Sequence, residues 1–469
     1  MANYPQLNEE QKAAFDALKK FIKHPTANTF VINGYAGTGK TFLMQYFAKW
    51  LKEKNHKFKM LASTGRAATV LKGKTGFETK TVHGELYQFS KVNGNDENIS
   101  TDTIEQSGQM TLQFSLRPPD EVKHIYIVDE ASMLSSNFTD SSSFANFGSG
   151  VLLEDFFNAT GNNKIIFVGD PCQLPPVGQS YSPALDTNWL EEQNRAALSI
   201  TLHKIERTNS DNDILKLAHA VRDLSLQESW EKYIKLPAKN HSDITLYATQ
   251  QDLFDSYLER YRSVGSSGAL AVARSNKTVQ QINKAVRKEL YSEDNMPLQV
   301  GDILLVTQNN YAQPLTNGDF VTVISLGELR QQAGLNFQNI RIKTALSEKE
   351  YDILLSLDIL YSQSSNYTHE QMKMLMIDFN QRMSAKGYSP NSIEYRKGMM
   401  EDSYLNCLRA TYGYAVTCHK SQGGEWDDVF LFLEQGMYGM PPKELSRWWY
   451  TAITRAKESL HIIDGWWIR

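Results

Sequence analysis

The stretch Gly34-Tyr35-Ala36-Gly37-Thr38-Gly39-Lys40-Thr41 stands between an apolar run, Phe30-Val31-Ile32, and a pattern over Thr41–Lys54 that predicts an amphipathic helix. Glycines let backbone N–H groups turn toward an anion without Cβ clashes, and a helix N-terminus adds partial positive charge. The stretch fits the Walker A pattern, in which Lys40 reaches the β- and γ-phosphates of a nucleotide and the Thr41 hydroxyl binds Mg²⁺. We predict a nucleotide site formed by Gly37, Thr38, Gly39, Lys40 and Thr41. By itself the pattern does not separate kinases, GTPases, transporters and helicases.

An acidic pair ends the apolar run Ile125-Tyr126-Ile127-Val128. Ligands bind at the carboxyl edge of a parallel sheet, so Asp129 is placed to hold Mg²⁺ and Glu130 to orient and deprotonate an attacking water. An acidic pair alone is equally typical of a solvated turn. Because the phosphate loop precedes it, the catalytic interpretation is favoured, with Thr41 and Asp129 as metal ligands.

A third apolar run leads into Gly169-Asp170-Pro171-Cys172-Gln173-Leu174-Pro175-Pro176-Val177. Gln173 at a strand end can hydrogen-bond the γ-phosphate and report whether it is present. A proline-stiffened loop is the plain structural alternative, but it leaves Asp170 and Gln173 unexplained.

Short apolar runs that alternate with helical patterns predict parallel α/β sheets. The predicted strands are, in a first set, Phe30–Ile32, Lys59–Ala62, Ile125–Val128 and Ile165–Val168, and in a second set, Ala269–Ala273, Asp302–Thr307, Val429–Leu433 and Leu460–Ile463. Two stretches interrupt this scheme: residues 87–122, with candidate strands Gln88–Val92 and Leu112–Arg117, and residues 311–410. The run Ser135–Gly150, rich in Ser, Asn and Gly, is interpreted as a mobile loop.

The composition is that of an ordinary globular protein, with 469 residues, 41% hydrophobic residues, a net charge of −4 and a pI of about 6.2. A protein that coats nucleic acid is usually basic overall, so a nucleic-acid site here must be a local groove. Cys172, Cys407 and Cys418 form no Cys-x-x-Cys pair, which disfavours a zinc site or disulfide framework. No signal peptide and no apolar run of roughly 18–20 residues is found, so a cytoplasmic location away from membranes is expected, at the nucleoid if the source is bacterial.

Further motifs, in family order, resemble those of superfamily 1 helicases. Gln173–Val177 and His419–Gly423 are similar to branch 1B, in particular to the RecD and Dda group. The other similar stretches are Leu7–Gln11 (Q motif), Ser63–Ala68 (motif Ia), Thr81–His83 (motif Ib), Leu202–Arg207 (motif IV), Thr417–Glu425 (motif V) and Tyr450–Ala456 (motif VI). Pif-type members carry a Pro-Phe-Gly-Gly run before motif III that Leu152–Val168 lacks, and this departure weakens a Pif assignment.

The resemblance implies roles that the residues alone leave open. Gln11 would read adenine, Gly423 and Glu425 would lie at the nucleotide, and Arg207 and Arg455 would reach the γ-phosphate from a second domain. Contacts to a single DNA strand would come from Thr64, Arg66, His83, Thr417 and His419. For each of these the alternative is a capping or satisfied loop residue. The catalytic set is then Lys40, Glu130, Gln173, Arg207 and Arg455, with ATP and Mg²⁺ as cofactors.

The resemblance also implies an α/β architecture of two RecA-like parallel-sheet P-loop domains with an inserted β-hairpin and a small SH3-like β-barrel. The expected divisions are 1–86 with 123–185 for the first domain, 87–122 for the hairpin, 186–310 with 411–469 for the second domain and 311–410 for the barrel. The implied function is an ATP-dependent DNA helicase that moves 5′ to 3′ on single strands and unwinds duplex or fork DNA. A monomer is expected, with single-strand-binding or repair proteins as candidate partners. Two alternatives stay open: an RNA-directed helicase of the same branch, and a nucleotide-switched translocase without unwinding.

Overall fold

The computed structural model describes residues 7–93, 111–120, 122–139, 145–205, 212–227, 229–292, 297–310, 312–390 and 392–469. Its strands are β1 Thr29–Gly34, β2 Phe58–Ala62, β3 Thr79–Thr81, β4 Tyr87–Asn93, β5 Thr111–Leu116, β6 Ile125–Asp129, β7 Ala145–Phe147, β8 Lys164–Gly169, β9 Ala197–Leu202, β10 Ile244–Tyr247, β11 Ala269–Ala273, β12 Ile303–Val306, β13 Phe320–Gln332, β14 Leu335–Thr344, β15 Glu350–Ser356, β16 Ala410–Tyr412, β17 Ala415–Thr417, β18 Trp426–Phe432 and β19 Ala456–Ile463. Its helices are α1 Glu9–Ile22, α2 Lys40–Glu53, α3 Gly65–Thr75, α4 Val82–Leu86, α5 Leu152–Thr160, α6 Thr187–Glu192, α7 Asp213–Ser225, α8 Gln250–Gly268, α9 Asn276–Tyr291, α10 Leu357–Leu360, α11 His369–Ala385, α12 Ile393–Glu401, α13 Cys418–Ser421 and α14 Pro442–Ile453. None of these helices is long and apolar enough to cross a bilayer.

The first sheet is parallel throughout, with strand order β3-β2-β6-β8-β1-β9. A parallel sheet is covered on both faces, which explains why its strands are continuous apolar runs. Phe21 of α1 and Phe47 of α2 are buried on one face, and Phe156 of α5 is buried on the other. The first set of predicted strands is confirmed to within two residues at each end. We call this sheet with its helices the first unit.

The first sheet extends further along the chain than expected. β9 pairs with β1 from Thr29 opposite Ala197 to Gly34 opposite Leu202. Residues 197–202 therefore belong to the first sheet, whereas a division after residue 185 assigned them to the second domain. An apolar run does not reveal which of two sheets it joins, because only the pairing partner decides that.

A second parallel sheet has strand order β10-β19-β18-β11-β17, and with helices α7, α8, α9 and α14 it forms the second unit. The strands predicted near 269, 429 and 460 are confirmed as β11, β18 and β19. The assignment of Asp302–Thr307 to this sheet was wrong, because β12 pairs antiparallel with β13 and β16. A short buried apolar run has the same pattern in either kind of sheet.

The third sheet is antiparallel, with order β15-β14-β13-β12-β16, and we call it and α10–α12 the inserted unit. Its two edges meet through a bridge between Leu355 and Leu408. There the Ser356 N–H donates to the Leu408 carbonyl at 3.0 Å, and the Leu408 N–H donates to the Leu354 carbonyl at 2.7 Å. This closure is what a small barrel requires, while its SH3-like character stays a prediction.

The predicted hairpin is present: β4 and β5 pair antiparallel, with Asn93 opposite Thr111. β7 adds a third strand, parallel to β5, so the interpretation of all of Ser135–Gly150 as a loop was wrong for residues 145–147. Phe147 stacks on Phe114 with ring centroids 4.7 Å apart, and this contact orders a stretch whose composition resembles a linker. The hairpin tip, residues 94–110, lies outside the described residues.

Candidate nucleotide site and nucleic-acid interface

The phosphate loop lies between β1 and α2, at the carboxyl edge of the first sheet. Gly37 and Gly39 have φ angles of 79° and 76°, a left-handed conformation that glycine adopts without strain. A Cβ on Gly34 would lie 2.8 Å from Lys40 Cγ, so the close packing there requires glycine. Lys40 Nζ donates to the carbonyls of Gly34 at 2.7 Å and Tyr35 at 3.2 Å, which holds its charge over the loop.

The N-terminus of α2 is open to an anion. No side chain caps it, and its first turn, which includes Thr41, carries no acidic residue. Its unbonded N–H groups and the helix dipole together favour a phosphate. The predicted phosphate loop thus fits a nucleoside triphosphate.

The acidic pair stands at the end of β6. Asp129 is buried, and its Oδ1 accepts from the Glu130 N–H at 2.9 Å. Burial, and after it the charge of Glu130, raise the pKa of Asp129 to about 6. Glu130 has a φ of 52°, which is uncommon for a residue with a Cβ, and its buried Oε2 has no hydrogen-bond partner in the part of the chain that the structure describes. Backbone strain and unpaired carboxylate oxygens are typical of catalytic sites, and these two carboxylates fit a Mg²⁺ ion and an attacking water.

The turn after β8 carries Gln173. The Gln173 N–H donates to the Asp170 carbonyl at 3.2 Å, and the buried side-chain Oε1 of Gln173 has no partner among the described residues. The buried Asp170 carboxylate accepts from the Cys172 N–H at 3.0 Å and from the Tyr450 hydroxyl at 2.7 Å. Burial raises the pKa of Asp170. Gln173 is therefore held by its backbone while its side-chain oxygen stays available for a ligand.

Gln11 lies beside the phosphate loop, but its amide is engaged within the protein. Gln11 Nε2 donates to the Thr38 carbonyl at 3.2 Å, and its Oε1 accepts from the Asn8 N–H at 3.2 Å in a capping box. Recognition of adenine by Gln11 stays a prediction, and it requires these bonds to be exchanged.

Arg455 follows α14 and is bonded within the second unit. Its Nε donates to the Thr451 carbonyl at 3.0 Å, its Nη1 to the Gly424 carbonyl at 3.1 Å and its Nη2 to Thr454 Oγ1 at 3.1 Å. Motifs V and VI are thus joined, while the approach of Arg455 to a γ-phosphate stays a prediction. Arg207 lies outside the described residues.

Gly423 and Glu425, expected at the nucleotide, contact α3 in the first unit. Gly423 has a φ of 76°, and a Cβ there would lie 3.0 Å from the Cβ of Ala67. A Glu425 carboxylate oxygen lies 3.8 Å from Lys74 Nζ. These contacts give both residues a role at the junction of the units, and their role at the nucleotide stays a prediction.

A cavity of about 830 Å³ is bounded by all three units and the base of the hairpin. Four predicted strand contacts, Thr64, Arg66, His83 and His419, line it, whereas Thr417 is buried outside its wall. The wall also includes Ser63, Thr81, Phe114, Phe147, Gln308, Asn309, Tyr367, Arg409 and Lys420. Hydroxyls, amides and a few cations are the groups that position a nucleic-acid backbone.

Two of the histidines on the cavity wall, His83 and His419, have lowered pKa values, which favours their neutral form. Burial lowers the pKa of His83 to about 4 and also lowers that of His419. Burial lowers the pKa of Lys420 too, and within the described ranges no carboxylate pairs with this lysine. Thr64 Oγ1 accepts from the Ala67 N–H at 3.2 Å and so caps α3. Its predicted contact with a strand stays a prediction.

Arg66 is placed differently from the other candidates, because it bridges the units. Only 7% of its surface is exposed, and its guanidinium carbon lies 4.4 Å from the Trp426 ring centroid and 5.0 Å from that of Phe320. Burial lowers its pKa to about 10, with a partial offset from the charge of Asp319. A cation enclosed between two aromatic rings is stabilised there by cation–π attraction.

Three hydrogen bonds between motif III and the second unit were not predicted from the sequence. Besides the Tyr450–Asp170 bond, Thr451 Oγ1 accepts from the Leu174 N–H at 2.8 Å, and Gln422 Nε2 donates to the Leu174 carbonyl at 3.2 Å. No local pattern pairs residues so far apart in the chain. The only signal was an aspartate beside Gln173 that lacked an explanation.

Comparisons with known proteins agree with this geometry. Residues 6–236 match the AAA domain family and residues 412–463 match the UvrD-like helicase C-terminal domain. The ATP-dependent DNA helicase dda of Enterobacteria phage T4 is 24% identical, over 92% of this chain and 93% of its own length. Together these matches support a superfamily 1B helicase of the Pif1/RecD-like kind. The helicase is an ATP-hydrolysing enzyme with ATP and Mg²⁺ as cofactors.

Other relatives extend this picture. An uncharacterised protein of Acanthamoeba polyphaga mimivirus is 23% identical, over 97% of the helicase and 99% of its own length. The Pif1 helicase of a Psychrobacter species is 23% identical, and the helicase spans 64% of it. The helicase is also similar to the crystal structure of Pif1 helicase from Bacteroides in complex with ADP-AlF3 and ssDNA. The TM-score is 0.50 and the identity 16%, over 98% of the helicase and 93% of that chain. This match shows a common fold. Pif1 proteins stand among the relatives although the Pro-Phe-Gly-Gly run is lacking.

The site's own residues divide the chemistry of phosphoryl transfer among them. When bound, Mg²⁺ neutralises phosphate oxygens. Lys40 and the N–H groups of the loop and α2 would hold the phosphates, and Asp129 would hold the cation. Glu130, whose Oε2 has no partner among the described residues, would orient a water and take its proton.

Proposed function

We propose that this helicase moves 5′ to 3′ on single-stranded DNA and unwinds the duplex ahead of it. The observation that carries the proposal is the cavity, which brings motifs Ia, Ib and V together below the hairpin. Two comparisons support DNA as the bound strand. The T4 relative is an ATP-dependent DNA helicase, and the Bacteroides Pif1 structure is a complex with single-stranded DNA. The direction rests on the branch 1B form of motifs III and V.

The motor would work by closing and opening the cleft between the two units. An arginine supplied from a second element, here Arg207 or Arg455, accelerates phosphoryl transfer by about 10³–10⁵, or roughly 4–7 kcal/mol of barrier. ATP then stabilises the closed state because only that state completes the site, and hydrolysis releases it. The division into domains at 86, 122, 185, 310 and 410 is part of this proposal, with three boundaries adjusted to the sheets. The boundary at 185 is moved beyond β9, that at 310 is moved before β12, and that at 410 is moved beyond β16.

The test uses two matched duplexes, one with a 5′ single-stranded tail and one with a 3′ tail, with the wild type and Lys40→Ala. We expect ATP-dependent opening of the 5′-tailed duplex alone, and at least a 100-fold slower rate for Lys40→Ala, because the phosphate-binding cation is lost (about 10²–10³ per lost electrostatic contact). Opening of the 3′-tailed duplex alone would reverse the proposed direction.

Two further outcomes separate the alternatives. DNA-stimulated ATPase without opening of either duplex would favour a translocase that does not unwind. Stimulation by single-stranded RNA in place of DNA would favour an RNA-directed helicase of the same branch.

A further inference from the structure

The hydroxyl of Tyr450 joins three parts of the molecule at one buried point. Tyr450 belongs to α14 in the second unit and has no exposed surface. Its oxygen accepts from the Ala36 N–H of the phosphate loop at 2.9 Å, and its O–H donates to Asp170 Oδ2 in motif III at 2.7 Å. The hydroxyl therefore bonds the phosphate loop and the turn that carries Gln173 at the same time.

The surrounding contacts place both of these segments on the second unit. Tyr35 and Leu174 belong to the hydrophobic core of the second unit although they follow strands of the first sheet. The guanidinium carbon of Arg222, on α7, lies 4.6 Å from the centroid of the Tyr35 ring. The phosphate loop and motif III thus both pack against the second unit. Thr451 and Gln422 bond Leu174 of motif III, whereas the Tyr450 hydroxyl bonds both segments.

We propose that Tyr450 is a positioning residue for ATP hydrolysis, whose hydroxyl locks the Gln173 turn to the phosphate loop when the second unit is docked. This inference rests on the proposed function, since it explains how movement of the second unit reaches the nucleotide. Tyr450 itself need not touch ATP.

The hydrogen bonds of Asp170 explain why the Tyr450 hydroxyl would position this turn. The Asp170 carboxylate is fully buried and takes one bond from the Cys172 N–H and one from Tyr450. The Cys172 N–H belongs to the same turn, so among the described residues Tyr450 is the donor that bonds this carboxylate from outside the turn. A buried carboxylate that loses such a donor rearranges, because an unpaired buried acceptor is unfavourable. Gln173, three residues further on, would move with it.

The first experiment is Tyr450→Phe, which keeps the ring and removes the hydroxyl. We expect the DNA-stimulated kcat for ATP to fall by about tenfold or more while KM changes by less than about threefold, because the lost contact orders the site rather than binds ATP. The control is Tyr257→Phe, which also removes a buried hydroxyl in the second unit, one that donates to the Tyr414 carbonyl. It should leave kcat and KM unchanged.

A second variant, Asp170→Ala, removes the acceptor of the Tyr450 hydroxyl. It tests whether Tyr450 acts through Asp170, and it also serves if Tyr450→Phe does not fold. It should lower kcat by a similar factor, and the double variant should be no worse than either single one, since both changes break the same bond. The inference would be overturned if the losses in kcat of the two single variants added up in the double variant. It would also be overturned if Tyr450→Phe kept the wild-type kcat, or if Tyr257→Phe lost as much kcat as Tyr450→Phe. A wild type without DNA-stimulated ATPase would instead contradict the proposed function.

Discussion

At the scale of single residues, two cations on the cavity wall have different surroundings. Arg66 is enclosed between Trp426 and Phe320, close to Asp319. Lys420 has a pKa lowered by burial alone. The aromatic rings and Asp319 offset part of the cost of burying the Arg66 charge, whereas no such offset acts on Lys420, so Lys420 gains more by binding a phosphate. The structure therefore favours Lys420 over Arg66 as the phosphate contact.

Arg66→Met and Lys420→Met should differ in the salt dependence of binding to single-stranded DNA. For Lys420→Met the slope of log affinity against log salt should fall by about 0.7, the value for one phosphate contact on a single strand. For Arg66→Met the slope should stay unchanged, although stacking on Trp426 is lost. Fluorescence anisotropy at several salt concentrations measures both slopes. An equal decrease of the slope for Arg66→Met would instead identify Arg66 as a direct phosphate contact.

At the scale of elements, the hairpin is positioned by its base. β5 pairs with both β4 and β7, and the stacked rings of Phe114 and Phe147 lie on the cavity wall. Its arms thus rise directly beside the proposed path of the strand. A rigid element at this place can part the strands, each step of which costs about 1.4 kcal/mol of stacking.

Replacing residues 94–110 by Asn-Gly should impair unwinding and spare ATP hydrolysis. Asn93 and Thr111 are paired, so a two-residue turn can join the arms without altering their register. We expect unwinding of the 5′-tailed duplex to slow by about tenfold, since even one stacking step is worth that factor, with DNA-stimulated ATPase near the wild-type level. If ATPase stimulation disappeared as well, the segment would serve strand binding.

At the scale of the whole molecule, the first unit contacts both others through the start of α3. Gly65 packs against Thr316 of the inserted unit, whose hydroxyl is fixed by a 2.9 Å bond to Asp319. Gly424 of the second unit packs against Arg66, and a Cβ at Gly424 would overlap the Arg66 side chain. Small residues let the three units approach closely here. DNA bound at motif Ia, as proposed, would therefore be coupled to the positions of the other two units.

Gly65→Ala should loosen this junction, because the added Cβ would overlap the side chain of Thr316. We expect a loss of about 1–3 kcal/mol in the free energy of unfolding and weaker stimulation of ATPase by DNA. The matched control is Gly73→Ala in the same helix, where a Cβ meets nothing within 4 Å. It should be neutral or stabilise by up to roughly 1 kcal/mol. Thermal unfolding compares the two, and equal effects would contradict the clash.

The sequence by itself determined the parts whose chemistry is local. The phosphate loop, the Asp129–Glu130 pair and the Gln173 turn each depend on residues a few positions apart, and strand runs such as Ala269–Ala273 carry their own apolar pattern. The class of fold followed from the alternation of these runs with helices. Local geometry sets these features, because glycine conformation, strand ends and helix starts involve only neighbours in the chain.

Only the tertiary structure decided which of these parts meet. The sheet that β12 joins, the addition of β9 to the first sheet, the enclosure of Arg66 and the bonds of Tyr450 all involve residues far apart in the chain. An apolar run or an arginine has the same sequence signature whether it meets solvent, DNA or another unit. Its partner is selected by packing and by the need to satisfy buried polar groups, and these depend on the assembled fold.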